Sequence, residues 1–397
     1  MERNPYFSNL SPHYFFSGIN NKLRCFCKEN PEIEIADLSV GNTSYPINSC
    51  ISSAIENSIK KQSFFKSYQG YGPEAGLPIL REKISTLIYK GIISSEEITI
   101  TDGAKNDIFR LFSLFGPGKT LALQDPTYPA YLDIARLTGI KKIITLPSTK
   151  ETQFIPELPK NHAIDILCLC FPNNPTGVMA THEELQAFVD YAQVHNAVIL
   201  FDAAYSTFIT DPQLPKSIFE IPGAKSCAIE VGSFSKPLGF TGMRLGWSVV
   251  PKELCYNDGQ PILPDWQRLV STVFNGASLP IQEGGYVGLD FFSSSEAISH
   301  YQRQSLQLCK ALSKAGFHIY GGKHAPYIWV EIPKGISDDE VFDFFLNQYH
   351  IAVTPGYAFG NYGKGFIRLS ALAKPQDIAK ACQQLTLTSF SANMVLS

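Results

Sequence analysis

The sequence predicts an α/β protein with a large domain built on a mostly parallel central sheet and a smaller α+β domain. Between about residues 50 and 280, short apolar runs alternate with helical patterns, as in strands joined by helices. Several runs are apolar at every position, which is typical of strands covered by helices on both faces. The alternation ends after about residue 285. We therefore expect a large domain over residues 45–285 and a small domain formed by residues 1–44 and 286–397.

Each predicted strand of the large domain is a short apolar run. These strands cover residues 98–101, 120–123, 142–144, 165–170, 198–201, 227–231 and 245–250. A helix over 106–115 follows the first of them. The smaller domain is expected to contain a long helix, a glycine turn, two strands and a further short helix. The long helix is expected in the stretch after 285, and the glycine turn at Gly321-Gly322. The two strands are expected over 327–331 and 365–370, and the short helix includes 342–345.

Composition excludes several functional classes. The chain has 397 residues, of which 44% are hydrophobic and 17% charged, so we expect a compact enzyme rather than a disordered chain. The net charge is −3 and no basic face is evident, which argues against a nucleic-acid partner. No apolar run approaches the roughly 20 residues that cross a bilayer, and the first residues lack a signal pattern, so a cytoplasmic, non-membrane protein is expected.

The cysteines and histidines do not indicate a metal site. Nine cysteines are present without a Cys-x-x-Cys pair, and the eight histidines include no His-Glu-x-x-His. Reduced, packed thiols are the expected state.

The segment from Gly232 to Arg244 is the most informative. It places Lys236 between serines and, eight residues later, Arg244, with glycines that let both cations face one site. A solvated Gly/Ser loop is the alternative. However, the apolar strands on either side would hold the loop in place. A lysine that can form an imine, together with a phosphate-binding set, suits a cofactor with an aldehyde and a phosphate, such as pyridoxal 5′-phosphate.

Polar residues also follow three other predicted strands, where open α/β sheets bind ligands. Residues 102–105 open a helix whose amides favour a phosphate, although an ordinary capped helix would look the same. The turn at 171–177 can direct Asn174 at a ring hydroxyl. Asp202 ends an apolar strand and needs a cationic or donor partner, which a pyridine N–H would supply, unless it merely caps a helix. Tyr128 could stack on the ring or simply pack.

Three competing motifs fail on spacing or context. The glycines at 70–76 lack the spacing of a dinucleotide signature, and Gly118-Lys119-Thr120 follows a helix, the reverse of a P-loop. A Gly-x-Ser-x-Gly elbow is absent from the sequence, which argues against a serine hydrolase.

Together these residues resemble the class I/II aminotransferases, which are fold-type I pyridoxal phosphate enzymes. The resemblance runs from 38–41 to Arg368 and includes the segments 102–105, 202–205 and 233–236. The tyrosine-bearing loop 70–76 and the segment 272–278 are narrower signals and resemble the branch that forms LL-diaminopimelate. The resemblance implies that glutamate donates its amino group to an open-chain keto acid from tetrahydrodipicolinate, leaving 2-oxoglutarate.

The resemblance also implies residue roles. Lys236 would bond to the cofactor aldehyde and move the α-proton, Asp202 would pair with the ring nitrogen, and Tyr205 would complete the catalytic set. The remaining cofactor contacts are expected from Ala104, Lys105, Tyr128, Asn174, Ser233, Ser235 and Arg244. Contacts to amino and keto dicarboxylate substrates are expected from Tyr14, Gly41, Tyr71, Glu74, Lys105, Tyr128, Asn174, Asn275 and Arg368, some of them across a homodimer interface. Arg368 would bind the α-carboxylate as a planar bidentate donor.

Two alternatives stay open at this point. The same scaffold could serve an aromatic or alanine-type aminotransferase or a C–S lyase, and a non-catalytic regulator could keep the same fold. One departure from many relatives is Asn42 in the segment 41–44, where an aspartate is common.

Overall fold

The computed structural model of the protein describes residues 1–10, 15–160 and 163–387. Its strands are β1 (Ala36–Asp37), β2 (Ile98–Thr101), β3 (Thr120–Asp125), β4 (Lys142–Pro147), β5 (Ile166–Cys170), β6 (Val198–Asp202), β7 (Ala228–Ser233), β8 (Gly246–Val249), β9 (Ile319–Gly321), β10 (Tyr327–Glu331), β11 (Ile351–Ala352), β12 (Thr354–Pro355) and β13 (Phe366–Ser370). Its α-helices are α1 (Phe15–Glu29), α2 (Ser49–Lys61), α3 (Pro78–Leu87), α4 (Ala104–Phe115), α5 (Ala130–Leu137), α6 (His182–His195), α7 (Ile262–Val273), α8 (Leu279–Gly288), α9 (Glu296–Lys314), α10 (Val341–Tyr349) and α11 (Pro375–Leu387).

A seven-stranded sheet forms the centre of the large region, in the order β2-β8-β7-β6-β5-β3-β4. Only β8 runs antiparallel to its neighbours in this sheet; the other four neighbouring pairs are parallel. The predicted mostly parallel α/β sheet is thus confirmed. All seven predicted strands form, and their observed ends differ from the predicted ends by up to three residues.

Both faces of this sheet are covered. Along β5, Leu167 and Leu169 pack into one apolar core, while Cys168 and Cys170 pack into the core on the opposite face. The alternation explains why the strand is apolar at every position, since each face meets a layer of helices.

A separate antiparallel sheet, β12-β13-β10-β9, lies in the C-terminal part of the chain. Its core is shared with the N-terminal part, because Ile19, Ala36 and Leu38 pack with residues of α9, α10 and α11. A parallel pairing of β1 with β11 joins the two chain segments. The boundaries 45–285 and 286–397 themselves stay a prediction.

Local sequence signals place several helix ends. Thr181 and Glu184 form a reciprocal capping box at the start of α6, and Asn196 closes its other end in the left-handed conformation. Helix α4 begins at Ala104, two residues before the predicted start, because Gly103 adopts a φ of 116° that ends the preceding turn. Within the described part of the chain, every helix is too short or too polar to cross a bilayer.

Candidate active site

One cavity of about 640 Å³ lies at the carboxyl ends of the central strands. Strands β5, β6 and β7 each end at it, in Cys170, Asp202 and Ser233. Most of the residues predicted for the site line this cavity. They are Gly41, Ala104, Lys105, Tyr128, Asn174, Asp202, Tyr205, Ser233, Ser235, Lys236, Arg244 and Arg368.

Asp202 is a buried carboxylate without a cationic partner among the described residues. Its Oδ2 accepts a hydrogen bond from the Tyr131 hydroxyl at 2.5 Å, and its Oδ1 accepts one from the Ala204 amide at 3.0 Å. Burial raises the pKa of Asp202, and these two bonds oppose the shift. Each carboxylate oxygen can accept a further hydrogen bond, so Asp202 can bind an N–H group in the cavity.

Lys236 lies in the loop after β7, and its Nζ donates to the carbonyl oxygen of Gly41. Enclosure by protein, together with the charges of Arg368 and Arg244, lowers the pKa of Lys236 to about 8. A substantial fraction of this amine is therefore neutral near pH 7.5, unlike an exposed lysine. A neutral amine is the form that attacks a carbonyl carbon.

A set of donors surrounds one end of the cavity. Arg244 donates to the Ser235 hydroxyl at 3.5 Å and to the Thr241 carbonyl at 3.1 Å. A Cβ on Gly103 would come within 2.6 Å of Arg244 Nη2, so only glycine allows the guanidinium to lie against the start of α4. The amides of that helix start and the Arg244 charge together form an anion-binding site.

Arg368, which also lines the cavity, is held in place by several contacts. Its Nη1 donates to Asn174 Oδ1 at 2.9 Å, and its Nη2 donates to the Ser39 carbonyl at 2.7 Å. The guanidinium also stacks over the rings of Tyr327 and Phe359, at 4.7 and 4.8 Å. It is 2% exposed, and it is therefore preorganised to bind a carboxylate.

Aromatic residues complete the walls. The hydroxyls of Tyr205 and Tyr327 share a hydrogen bond of 2.8 Å, and burial raises the pKa of both phenols. Tyr128 meets Tyr131 edge to face, with ring centroids 5.5 Å apart. Lys105 is an exposed residue of the lining, and its Nζ lies 6.0 Å from the centroid of the Tyr128 ring.

Three predicted substrate residues lie outside this cavity. Tyr71, Glu74 and Asn275 are exposed on the surface, and Glu74 accepts a hydrogen bond from Ser271 there. The single chain does not bring them to Lys236, so their roles stay a prediction that depends on a second subunit. Tyr14 lies outside the described residues.

Sequence reasoning missed Tyr131, Tyr327 and Ser39. Tyr131 lies in the first turn of α5, whereas Tyr128 lies in the loop before that helix, so no helical spacing linked the two in the sequence. Tyr327 looked like an ordinary residue of an apolar strand. Ser39 acts through its backbone carbonyl, which leaves no trace in residue type.

The residues present fit a phosphorylated aldehyde cofactor with a pyridine ring. The anion site at Arg244 matches the phosphate, the amine of Lys236 with its lowered pKa matches the aldehyde, and the buried carboxylate of Asp202 matches the ring nitrogen. Each match is a donor or acceptor whose partner the described residues do not fully supply.

Comparison with known proteins gives consistent results. The family model described as aminotransferase class I and II matches residues 33–385. The LL-diaminopimelate aminotransferase of Chlamydia pneumoniae is 59% identical over 397 residues, covering 100% of both chains. The chloroplastic LL-diaminopimelate aminotransferase of Arabidopsis thaliana is 38% identical, covering 97% of this chain and 86% of that one. The solved structure of the Chlamydomonas reinhardtii L,L-diaminopimelate aminotransferase superposes with a TM-score of 0.92 at 37% identity, covering 98% of this chain and 99% of that one.

Proposed function

Because the chain belongs to the class I and II aminotransferases, we propose that it moves the amino group of glutamate to the open-chain keto acid of tetrahydrodipicolinate. The products are LL-diaminopimelate and 2-oxoglutarate, and diaminopimelate is a precursor of lysine and peptidoglycan. The observation that carries this proposal is the 59% identity to an LL-diaminopimelate aminotransferase over the whole length of both chains. The predicted family and the predicted fold class are thereby confirmed.

Class I and II aminotransferases depend in general on pyridoxal phosphate, which we propose as the cofactor here. When bound, it supplies an aldehyde that bonds to amines and a ring that withdraws electrons from the substrate α-carbon. Its phosphate would be held by Ser233, Ser235, Arg244 and the Ala104 amide. Asp202 would keep the ring nitrogen protonated, because a buried carboxylate without an ion pair favours a positive neighbour.

Lys236 would provide both the covalent attachment and the base. Its Nζ is enclosed and its pKa is lowered to about 8, so a substantial fraction of the amine is neutral and able to bond to a carbonyl carbon or to accept a proton. Asn174 and Tyr205 would contact the ring oxygen and so orient the ring. Tyr128 would cover one ring face.

Arg368 selects amino and keto acids by their α-carboxylate. Two of its N–H groups are already bound to Asn174 and Ser39, which fixes the plane of the guanidinium. The guanidinium is therefore presented to a carboxylate in one orientation. Lys105, an exposed residue of the lining, would add a positive charge for a second carboxylate.

We propose a homodimer with shared active sites. Among the described residues that line the cavity, Asp202 has the one carboxylate, and this carboxylate would bind the ring nitrogen of the cofactor. The distal ammonium of diaminopimelate needs another acid, and Glu74 of a second subunit can supply it. The aromatic side chains of Phe64, Phe65 and Tyr68 are exposed near Tyr71, as expected for a surface covered by another chain.

A cytoplasmic location also stays part of the proposal. It is supported by the cysteines, since all nine are free.

A substrate panel tests the function. Purified enzyme with pyridoxal phosphate should release 2-oxoglutarate from glutamate when tetrahydrodipicolinate is supplied, and should run the reverse reaction with LL-diaminopimelate. Phenylpyruvate and alanine should be poor substrates. Full turnover with either, and none with diaminopimelate, would instead assign the chain to another activity on this scaffold.

A further inference from the structure

Tyr131 makes the shortest hydrogen bond to the ring-facing carboxylate. It lies in the first turn of α5, is 1% exposed, and its hydroxyl donates to Asp202 Oδ2 at 2.5 Å. Its ring contacts Tyr128 edge to face, so its position is fixed on two sides. A phenol on a helix outside the sheet therefore reaches the end of β6.

Few other groups act on this carboxylate. The Ala204 amide donates to Oδ1 at 3.0 Å, and no ion pair to Asp202 is formed within the described residues. An anion in an enclosed site is stable only when donors compensate for lost water. Tyr131 is one of two such donors, and it is the only one of the two on a side chain.

We propose that Tyr131 is a positioning residue that holds Asp202 as an oriented anion, and so keeps the cofactor ring nitrogen protonated. The inference rests on the proposed cofactor site and deepens it. Without the hydroxyl, the Asp202 carboxylate loses a donor and becomes less stable relative to its protonated form. The proton then moves more readily from the ring nitrogen to Asp202, which leaves both groups neutral. The electron withdrawal by the ring then weakens, although Asp202 and the other expected cofactor contacts are unchanged.

The chain contains a matched control. Tyr89 is also buried and donates to a buried carboxylate, Glu230, at 2.8 Å. Neither Tyr89 nor Glu230 lines the cavity. Tyr131→Phe and Tyr89→Phe therefore each remove a phenol donor from a buried carboxylate, one at the cavity and one away from it. Tyr89→Phe also removes the acceptor of the Trp247 Nε1–H group, so it is the more severe change to the core.

The first experiment measures ring protonation directly. Wild type, Y131F and Y89F are reconstituted with pyridoxal phosphate labelled with ¹⁵N in the ring, and the nitrogen chemical shift is recorded at pH 7.5. We expect the wild type and Y89F to show a protonated ring, and Y131F to move toward the unprotonated value. A shift in Y131F equal to that of wild type would overturn the inference.

The second experiment compares affinities of the cofactor-free proteins for pyridoxal phosphate and for its analogue with carbon in place of the ring nitrogen. Hydrogen bonds to charged groups predict a roughly 10- to 100-fold loss of affinity for pyridoxal phosphate in Y131F. The loss should be absent for the analogue, and Y89F should bind both normally. An equal loss for both compounds would reduce Tyr131 to a packing role, whereas a wild type that binds neither would refute the cofactor proposal itself.

Discussion

Two buried carboxylates on neighbouring strands show how a core differs from a site. Asp202 ends β6, and Glu230 lies in β7, paired with Phe201 in the adjoining strand. Each accepts a hydrogen bond from a buried tyrosine. Glu230, however, also accepts from the Ser217 hydroxyl at 2.7 Å and the Ile218 amide at 2.9 Å, so the protein satisfies it.

The difference lies in what each carboxylate still needs. Glu230 has three donors and is enclosed by the core, and its pKa is raised to about 7 by burial. Asp202 has two donors and opens onto a cavity. Buried polar groups in cores are normally satisfied by the chain itself. A group left short of partners at a cavity wall therefore indicates a ligand, whereas a satisfied one indicates structure.

The largest effect should come from Lys236, because it tests whether the cavity beside Asp202 is where the reaction takes place. Lys236→Ala removes the attaching amine and the base together, and we expect activity to fall by at least about 10⁴-fold. The yellow colour of the bound cofactor should be lost with it. Lys83→Ala is the control, since Lys83 binds Asp290 and the Tyr286 carbonyl away from the cavity. Retained activity in Lys236→Ala would mean that the reaction does not take place in this cavity.

The next effect separates the two carboxylates. Asp202→Asn keeps the shape and can still bind Ala204 and Tyr131, but it cannot keep a ring nitrogen protonated, and we expect roughly a 10³-fold loss of kcat. Glu230→Gln should keep kcat within about threefold and change stability instead. Transamination rates and urea unfolding of both variants check this. Equal losses of activity in the two variants would mean that any buried carboxylate of this sheet matters for catalysis, whether or not it opens onto the cavity.

The sequence was sufficient for the sheet and for most of the cavity. Asp202 could be identified because it ends an apolar run, and a strand end at an open sheet faces a ligand. Glu230 interrupts an apolar run in the same way, yet its partners come from distant segments, so residue type alone could not separate the two. Tyr131 and Tyr327 were missed for the same reason, because their contacts with Asp202 and Tyr205 depend on how helix α5 and strand β10 pack.

A smaller effect is expected when the fixed guanidinium of Arg368 is replaced by the flexible ammonium of a lysine. Arg368→Lys cannot bind Asn174, the Ser39 carbonyl and a substrate carboxylate at once, since an ammonium lacks the planar fork. We expect KM for glutamate to rise by roughly 100-fold with a smaller change in kcat, measured by initial rates. Arg136→Lys, a surface change on α5, should leave both constants unaltered. An unchanged KM in Arg368→Lys would remove this residue from substrate binding.

The smallest effect is a pH dependence that belongs to the core carboxylate alone. The folded protein raises the pKa of Glu230 from 4.5 to about 7, so its contribution to stability is present below pH 4.5 and is lost as the pH rises toward 7. Glu230→Gln has no such proton to lose. The free energy of unfolding of wild type relative to this variant should therefore fall by on the order of 2–3 kcal/mol between pH 4.5 and 7, and stay level above. Asp107, whose pKa is also raised to about 7 by burial, is present in both proteins and cancels in the difference. Parallel curves for the two proteins would mean that Glu230 keeps its charge throughout, because its three donors outweigh the effect of burial.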